Sequence, residues 1–203
     1  MIESEVDIAR RKGYHHGNLE DALIEAARRL VAEKGPVGFT LADAARLAGV
    51  TPAAVYRHFA DRTALLCALA GRGFGFFNEA LKQGLALGKD PNDAMQQMGV
   101  AYLDFARREP GYYSAMFAAG LKTTDLDHSA PDAFQTLITG LMAAVPLPPE
   151  RALPLAMQIW SLAHGTAMLE ATGAFNETMS TISAEKALSL GTAALIKSAA
   201  ANL

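Results

Sequence analysis

The chain of 203 residues has one cysteine, Cys67, so no disulfide can form within it. Cystine-stapled secreted scaffolds are excluded, and a reducing compartment, the cytoplasm, is expected. Uninterrupted apolar runs of about 18 residues are missing, so no membrane-spanning helix is expected. The opening MIESEVDIARRKGYHHGN is acidic and then basic, without the apolar stretch of a secretory signal. Catalytic signatures are missing too. There is no Gly-x-Ser-x-Gly elbow, no His-Glu-x-x-His and no pair of carboxylates with a suitable partner. Strand-type alternation and internal repeats are also absent, which leaves helices to build the molecule.

What is present agrees. Hydrophobic residues make up 51% of the chain, with Ala and Leu dominant, and these are the strongest helix formers. The value is high for a lone soluble chain and points to an apolar partner surface. Net charge is −3, but it is unevenly spread. Residues 8–72 hold ten Lys/Arg against six Asp/Glu, and residues 73–203 hold eight against twelve. A basic block followed by an acidic one fits a nucleic-acid module joined to something else.

The first helix is the clearest element. Asn18 can cap it, and Leu19, Ala22, Leu23, Ala26, Ala27, Leu30 and Val31 repeat at helical spacing until Gly35-Pro36. Thr40 caps a short second helix with Leu41, Ala44, Ala45 and Ala48 on one face, stopped by Gly49. Thr51 caps a third, Pro52 takes its first position, and TPAAVYRHF ends near Phe59. A fourth starts at Asp61 and runs to about residue 87. Further helices are expected from Asp90-Pro91 to Arg108 and from Pro110 through Phe117. After a polar loop at 119–129, Ser129 caps a helix to Ala144. PLPP at 146–149 is a stiff connector, followed by helices at about 149–172 and 183–200. Pro154 should at most kink the first of these last two.

Two short helices joined by a glycine turn, over Thr40 to Arg62, make the helix-turn-helix plan, in which the second helix enters the major groove. Its candidate DNA-facing residues are Thr51, Pro52, Ala53, Ala54 and Arg57. Small side chains let the helix lie close to the bases, methyl groups can meet thymine, and Arg57 can take a guanine edge. Tyr56 and His58 suit phosphate oxygens, as do Thr40 and Arg62 at helix starts. The plainer reading makes Tyr56, Arg57 and His58 an ordinary polar helix surface.

Residues 17–70, with FTLADAARLAGVT, AVYRHF and ADRTALL, resemble the DNA-binding domain of the TetR family. Two departures stand out. Arg62 takes the place of the family's usual lysine, and Ala44 that of a larger aliphatic residue. The C-terminal half resembles a TetR-associated ligand domain with a Trp-His-Gly signature, here Trp160, His164 and Gly165, and Tyr14-His15-His16-Gly17 occurs often in that subgroup. The resemblance implies an all-α homodimer. Residues 1–17 would form a basic arm, 18–65 the helix-turn-helix domain, and 66–203 a ligand-binding and dimerisation domain. It also implies operator DNA as partner, a small-molecule effector, and a repressor without catalytic activity or cofactor.

Other features admit two readings. Arg10, Arg11 and Lys12 can reach DNA as an arm or remain a solvated tail. His15 and His16 are adjacent, which suits no shared metal, and no metal site is expected. GRGFGFF at 71–77 has the look of a phosphate loop, but its glycines fall inside a helix, where they should soften it. Cys67 is a small buried hydrophobe or a redox sensor. His164 is a pocket wall with a polar handle or a core histidine bonded to a neighbour. Tyr102, Phe105, Met116, Phe117, Met142, Trp160 and Met168 are ordinary core or, with His164, the lining of a cavity between helices. The rival functions are a helix-turn-helix protein without a small effector and a small helical enzyme using His164 or the His15–His16 pair.

Overall fold

Helix begins at His16 in the computed structural model, which describes residues 16–121, 129–177 and 181–201. The described residues form ten helices and no strand. The first four are α1 (His16–Lys34), α2 (Leu41–Leu47), α3 (Pro52–Val55) and α4 (Arg62–Leu87). Next come α5 (Pro91–Arg108), α6 (Pro110–Met116) and α7 (Ser129–Ala144). The last are α8 (Pro149–Ala171), α9 (Ala174–Glu177) and α10 (Ala184–Ala201). Arg10, Arg11, Lys12, His15 and most of the expected 119–129 loop lie outside the described residues.

The N-terminal unit closes on the stripe expected for α1. Leu23, Ala26, Ala27, Leu30 and Val31 are buried, joined by Ile24. Opposite them lie Phe39, Leu41, Ala44, Ala45, Val55 and Phe59. Each fully buried Leu, Ile or Val side chain stabilises the fold by about 1.5–3 kcal/mol. Ala44 is fully buried, so the small residue there seats α2 in the core. Gly49 has φ +71, a left-handed conformation that costs a side-chain-bearing residue strain, and it turns α2 toward α3.

Several expectations need correction. Asn18 lies inside α1, two residues past its start. Thr51 precedes α3 but makes no side-chain capping bond. α3 closes at Val55, and Tyr56 to His58 form a turn in which the N–H groups of His58 and Phe59 both donate to the Val55 carbonyl. The one-turn α9 is new, because four residues are too few to show a helical period. Pro154, by contrast, behaves as expected and sits within α8 without ending it. α4 is continuous across residues 65–66, where the boundary between the two domains is expected, and so connects them.

α4 is the axis of the molecule, packing along α5, α6 and α7 and reaching back to α1. α8 pairs with α10, and both lean on α5. Arg107 of α5 joins these last elements. Its Nε and Nη2 donate to the Glu170 carboxylate on α8 at 2.9 and 2.7 Å, and Nη2 also donates to Glu185 on α10.

Candidate functional site

The helix-turn-helix surface is built from both ends. At the start of α2, Thr40 Oγ1 accepts from the Asp43 N–H at 3.1 Å, and the Asp43 carboxylate accepts from the Thr40 N–H at 3.0 Å. This reciprocal cap occupies the Thr40 hydroxyl, which also donates to Asp43 at 2.7 Å. The Thr40 hydrogen bonds hold the Asp43 carboxyl below its ordinary value. Asp61 likewise caps α4, accepting from the Ala64 N–H at 2.8 Å. Asp61 is thus turned to a backbone donor and Asp43 to the Thr40 cap and to Arg46, whose Nη2 donates to it, while Arg57 stands exposed.

On α3 and its turn, Thr51, Pro52, Ala53, Tyr56 and Arg57 are exposed, and Tyr56 keeps 62% of its surface in solvent. The spacing explains this: Ala53, Tyr56 and Arg57 share one side, while Val55 and Phe59, four apart, are buried on the other. Ala54 is a correction to the expected DNA-facing set. It is 7% exposed and faces the core, so it seats α3 instead of reading bases. His58 is half-buried. Arg62 is half-buried as well, and its Nη1 donates to the Pro36 carbonyl at 3.3 Å, tying α4 to the turn after α1.

A second cluster lies among α4 to α8. Phe77 is fully buried and meets Tyr102, Phe105 and Trp160 with ring centroids 4.9, 5.2 and 5.9 Å away. Phe117 lies 4.4 Å from His164 and 6.4 Å from Trp160. The Tyr113 hydroxyl and His164 Nδ1 share a hydrogen bond of 2.9 Å, and the Tyr102 hydroxyl lies 3.4 Å from the same nitrogen. Burial disfavours the charged form of the His164 ring, lowering its pKa, and pushes the Tyr113 phenol up to about 12. The reading of His164 as a histidine bonded to neighbours therefore describes what the structure contains. Six of the eight expected pocket residues gather here: Tyr102, Phe105, Phe117, Trp160 and His164 in the ring cluster, with Met116 buried beside them on α6. Met142 and Met168 are 42% and 48% exposed and stand outside it. Tyr113, Phe77 and Phe134 were not singled out from sequence. Tyr113 and Phe117, four apart after Pro110, were the available signal.

The two clusters are linked by α6. A Cβ on Gly111 would lie 2.2 Å from the Arg28 carbonyl oxygen, so α6 touches the α1 backbone directly. Beside this contact, Arg28 Nη1 donates to Glu109 at 3.2 Å and its guanidinium lies 5.7 Å from the Tyr112 ring centre. Two residues further along the same helix, Tyr113 reaches His164.

Among the described residues, no three of His, Cys, Asp and Glu gather as a metal site, and no helix is long and apolar enough to cross a membrane. Cys67 is half-buried on α4.

An exposed turn helix carrying Arg57 and Tyr56, set on a three-helix core and joined to a larger helical body, defines a helix-turn-helix DNA-binding protein. Known proteins narrow the class. Residues 23–69 match the model described as bacterial regulatory proteins, tetR family, and residues 95–195 match the tetracyclin repressor-like C-terminal domain. The uncharacterized HTH-type transcriptional regulator YobS of Bacillus subtilis is 28% identical over 78% of this chain and 82% of its own. A solved structure of a protein with unknown function from Rhodococcus sp. RHA1 superposes with a TM-score of 0.75 at 25% identity, covering 93% of this chain and 99% of that one. A tetR-family transcriptional regulator from Streptomyces coelicolor shares the fold, with a TM-score of 0.72 at 20% identity over 93% of this chain and 85% of that one. The chain belongs to the TetR family and is a regulator of transcription, not an enzyme. The C-terminal match carries the broader description, so the Trp-His-Gly subgroup stays a likeness of Trp160, His164 and Gly165.

Proposed function

We propose that the chain acts as a homodimeric repressor in the cytoplasm, holding operator DNA with two copies of the α2–α3 unit and releasing it when a small molecule binds among α4 to α8. The observation that carries this reading is α6, which touches α1 through Gly111 and His164 through Tyr113. A change at the aromatic cluster is therefore delivered to the DNA-binding unit without contact between effector and DNA.

Thr51, Pro52, Ala53 and Arg57 face the bases, while Tyr56, His58 and Arg62 hold phosphates, joined by Thr40 when its hydroxyl turns from Asp43 to the DNA. The partner surface is the outer side of α8 and α10, where Leu153, Met157, Leu169 and Leu190 are each about half exposed. A two-fold contact there sets two recognition helices about 34 Å apart, one turn of DNA.

A gel shift on the DNA upstream of the gene tests the assignment. Arg57→Ala should alter sequence preference, at a cost of about 1–3 kcal/mol if it reads a guanine. Tyr56→Ala should weaken all sequences alike, and affinity should fall steeply with salt. Wild-type affinity in both variants would defeat the proposed contacts. A regulator without a small effector is favoured by one observation: the space beside Tyr102 and Trp160 is only about 20 Å³. A candidate ligand that binds without shifting operator affinity would favour that second reading.

A further inference from the structure

The small space beside the aromatic cluster has a definite chemical character. Leu81, Met98, Leu137, Ile159 and Trp160 form most of its wall, and no Asp, Glu, Lys or Arg lines it. At about 20 Å³ it has room for one water-sized guest, so a larger molecule must displace wall atoms. Met95 and Met98 are unbranched and re-pack at low cost, which makes this wall adaptable. Met95, Gly99, Leu188 and Thr192 also border an open groove of about 350 Å³ between α5 and α10, which supplies a way in.

Tyr102 and Thr192 are the hydroxyl-bearing residues of this wall, and the Tyr102 hydroxyl is poorly served. Tyr102 is 4% exposed, and its hydroxyl has only long contacts, 3.3 Å to the Tyr113 hydroxyl and 3.4 Å to His164 Nδ1. Both exceed the ordinary range for a hydroxyl hydrogen bond. Nδ1 of His164 is already engaged by the Tyr113 hydroxyl at 2.9 Å, whichever of the two donates. The Tyr102 O–H thus has capacity for a better acceptor, inside a wall that offers no counter-charge. A buried ion without a partner is strongly disfavoured, whereas a neutral oxygen that accepts a hydrogen bond loses little.

Resting on the effector reading above, we infer that the effector is an uncharged, largely apolar molecule whose one hydroxyl or carbonyl oxygen is bound by Tyr102. Carboxylates and ammonium ions of the same length are excluded from the site. Lys186 and Glu185 border the open groove but not the inner space, and Arg107 is committed to Glu170, Glu185 and Asp104.

Trp160 is the only tryptophan in the chain and stands in the cavity wall, so its fluorescence reports occupancy directly. The full-length protein, free of DNA, is titrated with hexan-1-ol, hexanoate and hexylammonium. Hexan-1-ol should give a saturable change, with the two ions binding at least tenfold more weakly. Tyr102→Phe, which keeps the ring and the Tyr113–His164 bond, should weaken hexan-1-ol about three- to tenfold, the value of one neutral hydrogen bond. Equal or tighter binding of either ion overturns the inference. So does unchanged hexan-1-ol affinity in Tyr102→Phe, or no saturable response in protein that still retards operator DNA. The last outcome leaves DNA binding standing, while saturable binding that fails to release operator supports the ligand class and defeats effector release.

Discussion

Replacing Gly111 with alanine is the sharpest structural test of the contact between α6 and α1. The added Cβ would sit 2.2 Å from the Arg28 carbonyl oxygen and 3.0 Å from the Arg28 carbonyl carbon and Cγ. Ordinary contact needs the backbones to part by roughly 1 Å. Neither side yields easily. α1 is fixed by the buried Leu23, Ala27 and Val31, and α6 by the buried Tyr113, Ala115 and Met116. Overpacking of this kind costs about 1–3 kcal/mol, against which alanine returns at most about 1 kcal/mol of helix propensity. The net expectation is a loss of about 1–2 kcal/mol, lowering the thermal midpoint by several degrees, at about 2–4 °C per kcal/mol for a chain of this size. Gly75→Ala is the control, because its Cβ meets nothing within 4 Å. That substitution should stabilise by about 0.4–1 kcal/mol. Urea and thermal unfolding of both variants, followed by circular dichroism, give the two signs. Equal shifts in the two variants, or a stabilised Gly111→Ala, would refute the close contact.

Gly73→Ala should fall between them, since its Cβ would lie 3.0 Å from the flexible Met116 side chain but 3.2 Å from the Tyr112 Cβ; a cost near or below about 1 kcal/mol by urea titration is expected. The Arg28 hydrogen bond brings the Glu25 carboxyl down from 4.5 to about 2, so its contribution is complete above about pH 4.5 and is lost as pH falls toward 2. With 40% of that side chain exposed, the contribution is screened to roughly 1 kcal/mol or less, and Glu25→Gln should flatten the acid limb of stability by that amount. Ala194→Asp, on the exposed side of α10, enters a two-fold contact twice and should turn a dimer into a monomer by light scattering with circular dichroism unchanged. A wild-type monomer at micromolar concentration would instead remove the proposed interface.

Much of the fold was legible because its signals are local. The Asp90-Pro91 and Pro110 starts, the Gly35, Gly49 and Gly173 stops and the stripe on α1 all depend on neighbours in the chain, and the helices follow them closely. The end of α3 was misplaced because Tyr56 to His58 are turn residues held to the Val55 carbonyl, a geometry that helical periodicity does not separate from a helix. Ala54 was misassigned for a related reason. On a four-residue helix, neighbouring alanines look alike, and burial is decided by Val55 and Phe59 one turn apart. The ligand-domain cluster was legible only in part. Trp160 and His164 lie on one face of α8, but the groups they meet, Phe77, Tyr113 and Phe134, come from three other helices. Met142 and Met168 carry the same apolar chemistry yet lie on outer faces, a distinction that composition does not contain.

The same non-local packing changes the argument about how an effector would act. From sequence, the glycines at 71, 73 and 75 should soften the fourth helix, which would make α4 the lever between the two halves. In the structure α4 is one uninterrupted helix, and Gly73 is packed against Met116 and Tyr112 of α6. Gly73 therefore serves a close approach between helices, and Gly75 touches nothing that a bend would need to release. α6 is the shorter route. At seven residues it is about 10 Å long, rigid enough to carry a displacement of Tyr113 to Gly111 and so to the α1 backbone. If coupling runs through α4, Gly73→Ala plus Gly75→Ala should reduce the shift in operator affinity that a ligand causes, ordinarily about 5- to 150-fold. If it runs through α6, that double variant should keep the shift, and Tyr113→Phe should diminish it while both binding events persist. Measuring ligand affinity with and without operator in these two variants decides between the routes. Full coupling in Tyr113→Phe, together with its loss in the double glycine variant, would return the lever to α4.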